Sequence, residues 1–464
     1  MFSEALFRRR RATDHAETGW PIPRSWRIVR FGSVGRIRSR QGATGLELLS
    51  VYLGRGVIPY TEGGKRVHSP SLDLVAYQEV REGDLVMNNQ QAWRGSVGVS
   101  RLAGIVSPAY LVYEIASEID PGYARHLFVS PVMVDQYVTS SKGVGDIQRT
   151  IYEPYLKMCL VPMPPLDEQA AIVKYLGHAH ARIDRAIAGK RKLIALLEEQ
   201  KQAIIHRAVT RGLDPSAPLK DSGFPWIGEI PRHWEIERAK YIIREVDDRS
   251  TSGVEEQLSV SHITGVSPRK PTVTMFRAES YIGHKICRPD DLVVNTMWAW
   301  MGALGVAHNL GIVSPSYGVY RLKHKSKVRA EYLELMLRTP QYISYFKSES
   351  TGIRPSRLRL YPDQMLATPL PIPPVSEQLE IVEHLESSGK SFERIRVQAL
   401  AEIELLREFR TRLTADVVTG QIDVREIAVT LPELREAAPS LWEQEFDNED
   451  YSVASEVEFE NEYD

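Results

Sequence analysis

The seven residues Asn88-Asn-Gln-Gln-Ala-Trp-Arg94 carry five hydrogen-bonding side chains and one indole. Arg, Asn and Gln are the side chains that read the edges of nucleic-acid bases. A capped turn with the tryptophan as a core anchor accounts for the same residues almost as well. Downstream, Lys142 and Arg149, and then Arg354, Arg357 and Arg359, have the chemistry of phosphate contacts, with a solvated basic face as the competing account. Lys65 and His68, beside Gly63-Gly64, fit a loop at the same ligand more weakly.

Catalytic constellations are missing from this sequence. Gly389-Lys390-Ser391 imitates the end of a phosphate-binding loop, but the glycine required five residues earlier is His384. His178 and His180 are two apart in a helical stretch and point to different sides, so they cannot grip one metal as an i, i+4 pair would. Pro289-Asp290 and Pro362-Asp363 lack the Glu-x-Lys partner of a metal-dependent nuclease. No Asn-Pro-Pro-Tyr-like or Gly-x-Gly-x-x-Gly motif is present. Asp84 and Asp291 read as turn residues that start strands. Cys159 and Cys287 are the only two cysteines, which excludes a disulfide framework, argues against structural zinc and fits a reducing cytosol.

These residues lie in a chain of 464, 43% hydrophobic and 25% charged, the composition of an ordinary globular protein of two or three domains. No apolar run approaches the roughly 18 residues of a membrane-spanning helix, and Arg8 to Arg11 are not followed by the apolar stretch of a secretory signal. The net charge of −2 conceals an asymmetry. Residues 431–464 contain 12 acidic residues and one basic residue, so the rest of the chain is +9. The tail reads as disordered and solubilising. The basic body permits a polyanionic partner without demanding one.

The chain is written twice. Gly104-Ile-Val-Ser-Pro-Ala-Tyr-Leu-Val-Tyr113 returns as Gly311-Ile-Val-Ser-Pro-Ser-Tyr-Gly-Val-Tyr320, and Ala92-Trp93 as Ala299-Trp300. Pro162-x-Pro164-Pro165-x-x-Glu168-Gln169-x-x-Ile172-Val173-x-x-Leu176 returns as Pro371-x-Pro373-Pro374-x-x-Glu377-Gln378-x-x-Ile381-Val382-x-x-Leu385. This is a tandem duplication of a unit of about 200 residues. At the place of Asn89, Gln90, Gln91 and Arg94 the copy has Thr296, Met297, Trp298 and Met301, of which Thr296, Met297 and Trp298 are the second copy's candidate DNA contacts. Trp93 and Trp300 coincide, which assigns them core roles.

The first part of each unit is α+β. Strands are expected at Leu48–Leu53, Leu85–Met87, Gly98–Val99 and Tyr110–Ile115, with copies at Leu258–Val260, Leu292–Val294, Leu304–Val306 and Tyr317–Leu322. Tyr123–Tyr137 and Arg329–Phe346 read as helices. The second part is one long helix entered after the proline cluster, with Glu168 or Glu377 in its first turn, where a carboxylate complements the helix dipole. Ile183, Ile187, Lys190, Ile194, Leu197, Lys201, Ile204 and Ala208 alternate steps of three and four. Phe392, Arg396, Ala399, Ile403, Leu406, Arg410, Leu413 and Val417 repeat the pattern. Both are coiled-coil seams, imperfect at their basic positions. Paired in a pseudo-twofold molecule, they would run antiparallel; each seam packing on its own domain is the weaker alternative. A 44-residue helix is about 66 Å long.

These motifs resemble the specificity subunit of Type I restriction–modification enzymes. Trp226-Ile-Gly-Glu-Ile-Pro-Arg-His-Trp234 looks like the opening of a target recognition domain. The Gly83–Val99 and Asp290–Val306 blocks look like its centre, and the Pro-x-Pro-Pro-x-x-Glu-Gln segments like the entry to its spacer helix. Val209-Thr210-Arg-Gly-Leu-Asp214 and Val418-Thr419-Gly-Gln-Ile-Asp423 look like the helix exits. The resemblance covers about residues 20–425. The first unit lacks the Ile-Gly-Glu insert, and the acidic tail lies outside the pattern.

The resemblance implies recognition domain 1 (20–165), spacer helix 1 (166–212), recognition domain 2 (219–374) and spacer helix 2 (375–424); composition adds a basic N-terminal extension (1–19) and an acidic tail expected to be disordered (425–464). It implies a cytoplasmic, non-catalytic DNA-binding subunit in defence against foreign DNA. Each recognition domain would read half of a bipartite, asymmetric site in double-stranded DNA. The paired helices would set the gap and dock two methyltransferase subunits, with restriction/translocase subunits joining for cleavage. S-adenosylmethionine, ATP and magnesium would sit on those partners and no cofactor on this chain. Two other classes compete: a protein-interaction scaffold without nucleic acid, and, with less support, a nuclease or methyltransferase with a degenerate site.

Overall fold

The structure, a computed structural model, describes residues 13–14, 21–42, 45–63, 74–144, 148–269, 280–352 and 358–433. It divides into two compact units, residues 1–191 with 400–464, and residues 192–399.

In the first unit a four-stranded antiparallel sheet runs in the order Gly35–Ile37, Tyr110–Ile115, Leu85–Asn88, Val97–Val99. Strand periodicity explains its position. Leu85, Met87 and Tyr113 point into one core with Phe31, Phe128 and Tyr137. Val86 and Val112 point the other way, into a smaller core with Leu49, Val51, Val80 and Val106. The second unit repeats this order with Ile243–Glu245, Gly318–Leu322, Leu292–Val294 and Leu304–Val306. Leu292, Val294 and Tyr320 face its larger core, while Val293 and Val319 face the smaller one.

Each helix expected after the sheet is two helices. Pro121–Leu127 and Pro131–Thr139 replace the first, and Ala330–Leu337 and Pro340–Glu349 the second. Pro131 and Pro340 cannot donate a backbone hydrogen bond, so each ends one helix and starts another.

The long helices span Leu166–Arg211 and Val375–Val418. Each ends at a glycine with positive φ, Gly212 at 69° and Gly420 at 74°, the conformation that turns a helix C-terminus. Within the first unit, His180 pairs with Thr414, Asp184 with Arg410 and Lys190 with Glu402. Partners descend as the first helix ascends, which is antiparallel packing. Ile183, Ile187, Ile403 and Leu413 are buried along this stretch and Leu406 is half-buried. The basic seam positions Lys190 and Arg410 thus meet carboxylates of the facing helix. Within the second unit, Ala208, Val209, Ile381 and Leu385 share one core, and Ile194, Leu197, Ile204 and Phe392 are half-buried. The two helices therefore pair as the seams predicted.

A glutamine joins each sheet-bearing domain to its long helix. Gln169 Oε1 accepts from Asp120 N at 2.7 Å, and its Nε2 donates to the carbonyls of Glu118 and Pro164, each at 3.0 Å. Gln378 repeats this with Arg329 N (2.8 Å), Lys327 O (3.0 Å) and Pro373 O (2.9 Å). A tyrosine then reaches the other helix. The Tyr123 hydroxyl lies 3.0 Å from Pro162 O and 3.1 Å from Val418 O, so its one proton is shared between them. Tyr332 bridges Pro371 O and Val209 O in the same way, at 3.2 and 3.3 Å. Glu377 does more than complement the helix dipole: it accepts from Trp234 Nε1 at 3.1 Å and His233 Nε2 at 2.7 Å.

The start of the tail departs from the disordered reading. Arg425–Thr430 is a helix with Ala428 buried. Beyond it, His178 Nε2 lies 2.8 Å from Pro432 O, and Lys174 pairs with Glu433 at 2.7 Å. Apolar Ala428 and these polar partners on the first spacer helix hold the segment, which composition alone could not reveal. Residues 434–464 of the acidic tail lie outside the described residues.

Two histidines meet where Pro121–Leu127 packs on the first spacer helix. His126 and His180 stack edge to face, 5.3 Å between centroids. Thr414 donates its hydroxyl to Arg410 O, so it must accept from His180 Nε2–H, which fixes the tautomer. Burial, reinforced by Arg125 and Arg101, pushes His126 down to about 4. Burial, reinforced by His126 and Arg410, pushes His180 down to about 3.

Two predictions follow from this packing. Gln169→Leu or Gln378→Leu leaves three backbone groups unpaired and is expected to lower unfolding stability by roughly 2–5 kcal/mol. Denaturant titration measures this, and a loss below ~1 kcal/mol would show that the joint is not a stabilising element. Because both histidine values are depressed, the unfolded chain takes up protons that the folded chain refuses once pH falls below the free value near 6.5. Stability is therefore lost on acidification from about pH 6.5 towards 4, by up to about 2.7 kcal/mol per unit for two protons. The double variant His126→Leu/His180→Leu should flatten that dependence, and an unchanged slope would refute the assignment.

Candidate nucleic-acid interface

At the end of Leu85–Asn88 the chain turns on Asn88, whose side chain accepts from Gln90 N at 3.1 Å. A 3-10 turn, Ala92–Arg94, follows and ends at Gly95 with φ 97°, a conformation natural to glycine. The second unit builds the same loop. Asn295 accepts from Met297 N at 3.3 Å, the 3-10 turn is Ala299–Met301, and Gly302 closes it at φ 87°.

The tryptophans of these turns are not core anchors. Trp93 and Trp300 are half-buried, and each indole N–H donates to the carbonyl three residues back, Gln90 O at 3.0 Å and Met297 O at 2.8 Å. The core position belongs to the preceding Ala92 or Ala299, which is fully buried. The one-residue step around the tight turn carries the ring to the open side.

In the first unit the hairpin Ser141–Val144 with Gln148–Ile151 joins the loop. Ile151 N donates to both Asn89 Oδ1 at 3.0 Å and Asn89 O at 3.2 Å, so Asn89 positions the hairpin with its amide oxygen and its own carbonyl. The joint brings Arg149 over the Trp93 ring at 5.3 Å, where Arg94 already lies at 4.6 Å. Lys142 sits over Tyr152 at 3.4 Å and over Tyr155 at 4.7 Å. Gln90 is exposed and Gln91 half-buried. Arg94 and Arg149 are therefore gathered onto the Trp93 ring beside Gln90 and Gln91, while Lys142, opposite Thr150 in the hairpin, lies on the separate Tyr152–Tyr155 pair.

The second unit gathers a different set. Trp298 stacks with Trp300 at 5.9 Å and 18° between planes, and Lys347 lies 6.0 Å from the Trp300 ring. Met297 and Met301 are 44% and 36% exposed. Thr296 is displaced from the expected contact set. It is 4% exposed, its hydroxyl donates to Ser316 O at 2.9 Å, and it accepts from Arg359 Nε at 3.1 Å. Thr296 thus positions Arg359, whose guanidinium lies 5.8 Å from the Tyr361 ring. Arg354 and Arg357, like Lys65 and His68, lie outside the described residues.

Sequence reasoning missed Tyr152, Tyr155, Tyr361 and Lys347. The Tyr-x-x-Tyr spacing behind a basic hairpin was the available signal: the two rings meet edge to face at 4.9 Å and together carry Lys142. Asp84 and Asp291 start strands as expected, accepting from Arg81 N and Arg288 N, each at 2.9 Å. Asp291 also takes a bidentate pair from Arg321 at 2.8 and 2.7 Å. Among the described residues no group of three or more His, Cys, Asp or Glu could hold a metal ion, and no helix is long and apolar enough to cross a membrane.

Fold and site together define a duplicated module: one scaffold presents the same loop twice, with different side chains, and each copy is locked to long helices. Known proteins share this plan. The chain is 22% identical over 440 residues to the Type I restriction enzyme MjaVIII specificity subunit of Methanocaldococcus jannaschii, covering 88% of this chain and 96% of that one. It is 34% identical over 89 residues, 19% of each chain, to the putative type I restriction enzyme MjaX specificity subunit of the same organism. A chain from a solved structure of a type I restriction–modification system shares the fold, with a TM-score of 0.58 at 17% identity over 86% of this chain and 99% of that one. No protein-family model matches. The resemblance to type I specificity subunits thus extends over nearly the whole chain.

The Asn89 joint is testable. Asn89→Ala removes the shorter of the two Asn89 acceptors of Ile151 N, leaving only the backbone carbonyl, and should raise amide exchange in the hairpin strands 141–144 and 148–151 while the sheet Leu85–Val99 stays protected. Unchanged exchange in the hairpin would show that the Asn89 side chain does not hold it.

Proposed function

We propose that this chain is the DNA-recognition subunit of a type I restriction–modification complex. Each recognition domain reads one half of a bipartite, asymmetric site in double-stranded DNA. The observation that carries this reading is the loop pair at 88–95 and 295–302: one backbone, two sets of side chains. Two readers of different half-sites need this combination, one turn that fixes the loop and different side chains on its exposed side.

The spacer helices set the number of unread base pairs and dock the methyltransferase subunits. Large apolar side chains exposed on those helices support the docking role. In the second unit these are Leu196 (50%) and Val397 (53%), and in the first, Leu405 (63%). The chain works in the cytoplasm and has no catalytic part. S-adenosylmethionine, ATP and magnesium are bound by the methyltransferase and restriction/translocase subunits.

Direct sequencing of modified bases tests this in a methylation-free host making the chain with its methyltransferase subunit. A bipartite motif with a fixed gap is expected only when the chain is present. Lengthening both spacer helices by four residues, about 6 Å, should widen the gap by about two base pairs at 3.4 Å each and leave both half-sites unchanged. An active methyltransferase complex without any such motif would favour a protein-interaction scaffold instead.

A further inference from the structure

The two loops differ in a consistent direction. Matched position by position, Gln90 corresponds to Met297, Gln91 to Trp298 and Arg94 to Met301, while the tryptophan, the preceding alanine and the closing glycine are unchanged. Gln90, Gln91 and Arg94 of the first loop are thus replaced by two thioethers and an indole in the second. The neighbouring elements extend the contrast. The first unit adds a second guanidinium, Arg149, over the Trp93 ring. In the second unit the position of Arg149 is taken by Leu358, the neighbouring Arg359 is tied inward to Thr296, and the Trp300 ring carries another indole, Trp298.

From this contrast, and resting on the reading of the chain as a DNA-recognition subunit, we infer that the two half-sites are read by different chemistry. Arg94 and Arg149, stacked on Trp93, read guanine in the first half-site, and Met297 and Met301, beside the Trp298–Trp300 stack, read thymine methyl groups in the second. Guanine offers two acceptors, O6 and N7, that match the parallel N–H groups of a guanidinium. Stacking engages the face of a guanidinium, whereas guanine pairing uses its N–H edge, so the two are compatible. A guanidinium held flat on an indole also loses less rotamer freedom on binding. Thioethers and indole rings cannot make a bidentate pair. In the major groove the apolar feature that distinguishes one base is the C5 methyl of thymine. Methionine, flexible and polarisable, suits contact with it.

The experiment uses the full chain with its methyltransferase subunit. Modified-base sequencing gives both half-sites for the wild type, for Arg94→Ala/Arg149→Ala and for Met297→Ala/Met301→Ala, and thermal unfolding verifies that each variant is folded. The arginine variant should lose about ten- to a hundred-fold discrimination at guanine in one half-site only. The methionine variant should relax only the other. Duplexes carrying the wild-type motif, with deoxyuridine in place of thymidine, give an independent readout. Binding should weaken about fourfold, the effect of one buried methyl, when the second half-site is substituted, and stay constant when the first is.

A bipartite motif with no guanine in the half-site governed by the first domain would overturn the inference and leave the proposed function standing. So would relaxation in the wrong half, or indifference to the uracil substitution. Absence of any bipartite motif from an active complex would overturn both.

Discussion

A buried glutamine side chain, used twice, is the joint on which this protein depends. Its amide has the shape of a peptide unit, one acceptor and two donors. In each repeat it satisfies a backbone N–H and two carbonyls that belong to the recognition domain and to the proline segment before the helix. A hydrophobic contact could hold the domain and helix together, but it would let them slide. Three directional bonds at fixed positions do not. The tyrosine beside it, Tyr123 or Tyr332, carries the same joint to the last turn of the other long helix. A domain that must offer its loop in a constant orientation is thereby fixed at both ends of its attachment.

With the frame fixed, the loops can vary. The turn at 88–95 owes its shape to an asparagine side-chain bond, a fully buried alanine and a glycine at positive φ, and all three recur at 295–302. None of these residues faces the open side. The residues that do, Gln90 and Arg94 in one copy, Met297 and Met301 in the other, contribute nothing to the backbone geometry. Their chemistry can therefore change without cost to the fold.

The spacer seams follow the same logic with less regularity. Apolar residues set the stripe, and charged residues interrupt it where a carboxylate of the facing helix is available, as with Arg410 and Asp184. Such pairs specify one alignment of two helices that an all-apolar seam would leave free to slip. The His126–His180 contact belongs to this class: it is polar and demanding of its surroundings, and its neutral form is stable only above the acid range.

The sequence by itself determined the duplication, the strands and the long helices. Identity at a near-constant offset, period-two apolar runs and a 3-4 stripe are local signals that need no tertiary contact to be read. It also determined where the loops differ. Tertiary structure decided what those loops do. Trp93 and Trp300 were assigned to the core because they recur, yet a 3-10 turn gives the core to the alanine beside them. Thr296 was assigned to the surface by its position in a variable loop, yet it is buried holding Arg359. The gathering of Arg149 with Arg94 rests on a bond between Ile151 and Asn89, 62 residues apart, for which no local pattern exists. Short-range periodicity fixes which elements form. Which side chains converge at a surface depends on contacts between distant segments, and one residue type can serve equally well on either side of such a contact.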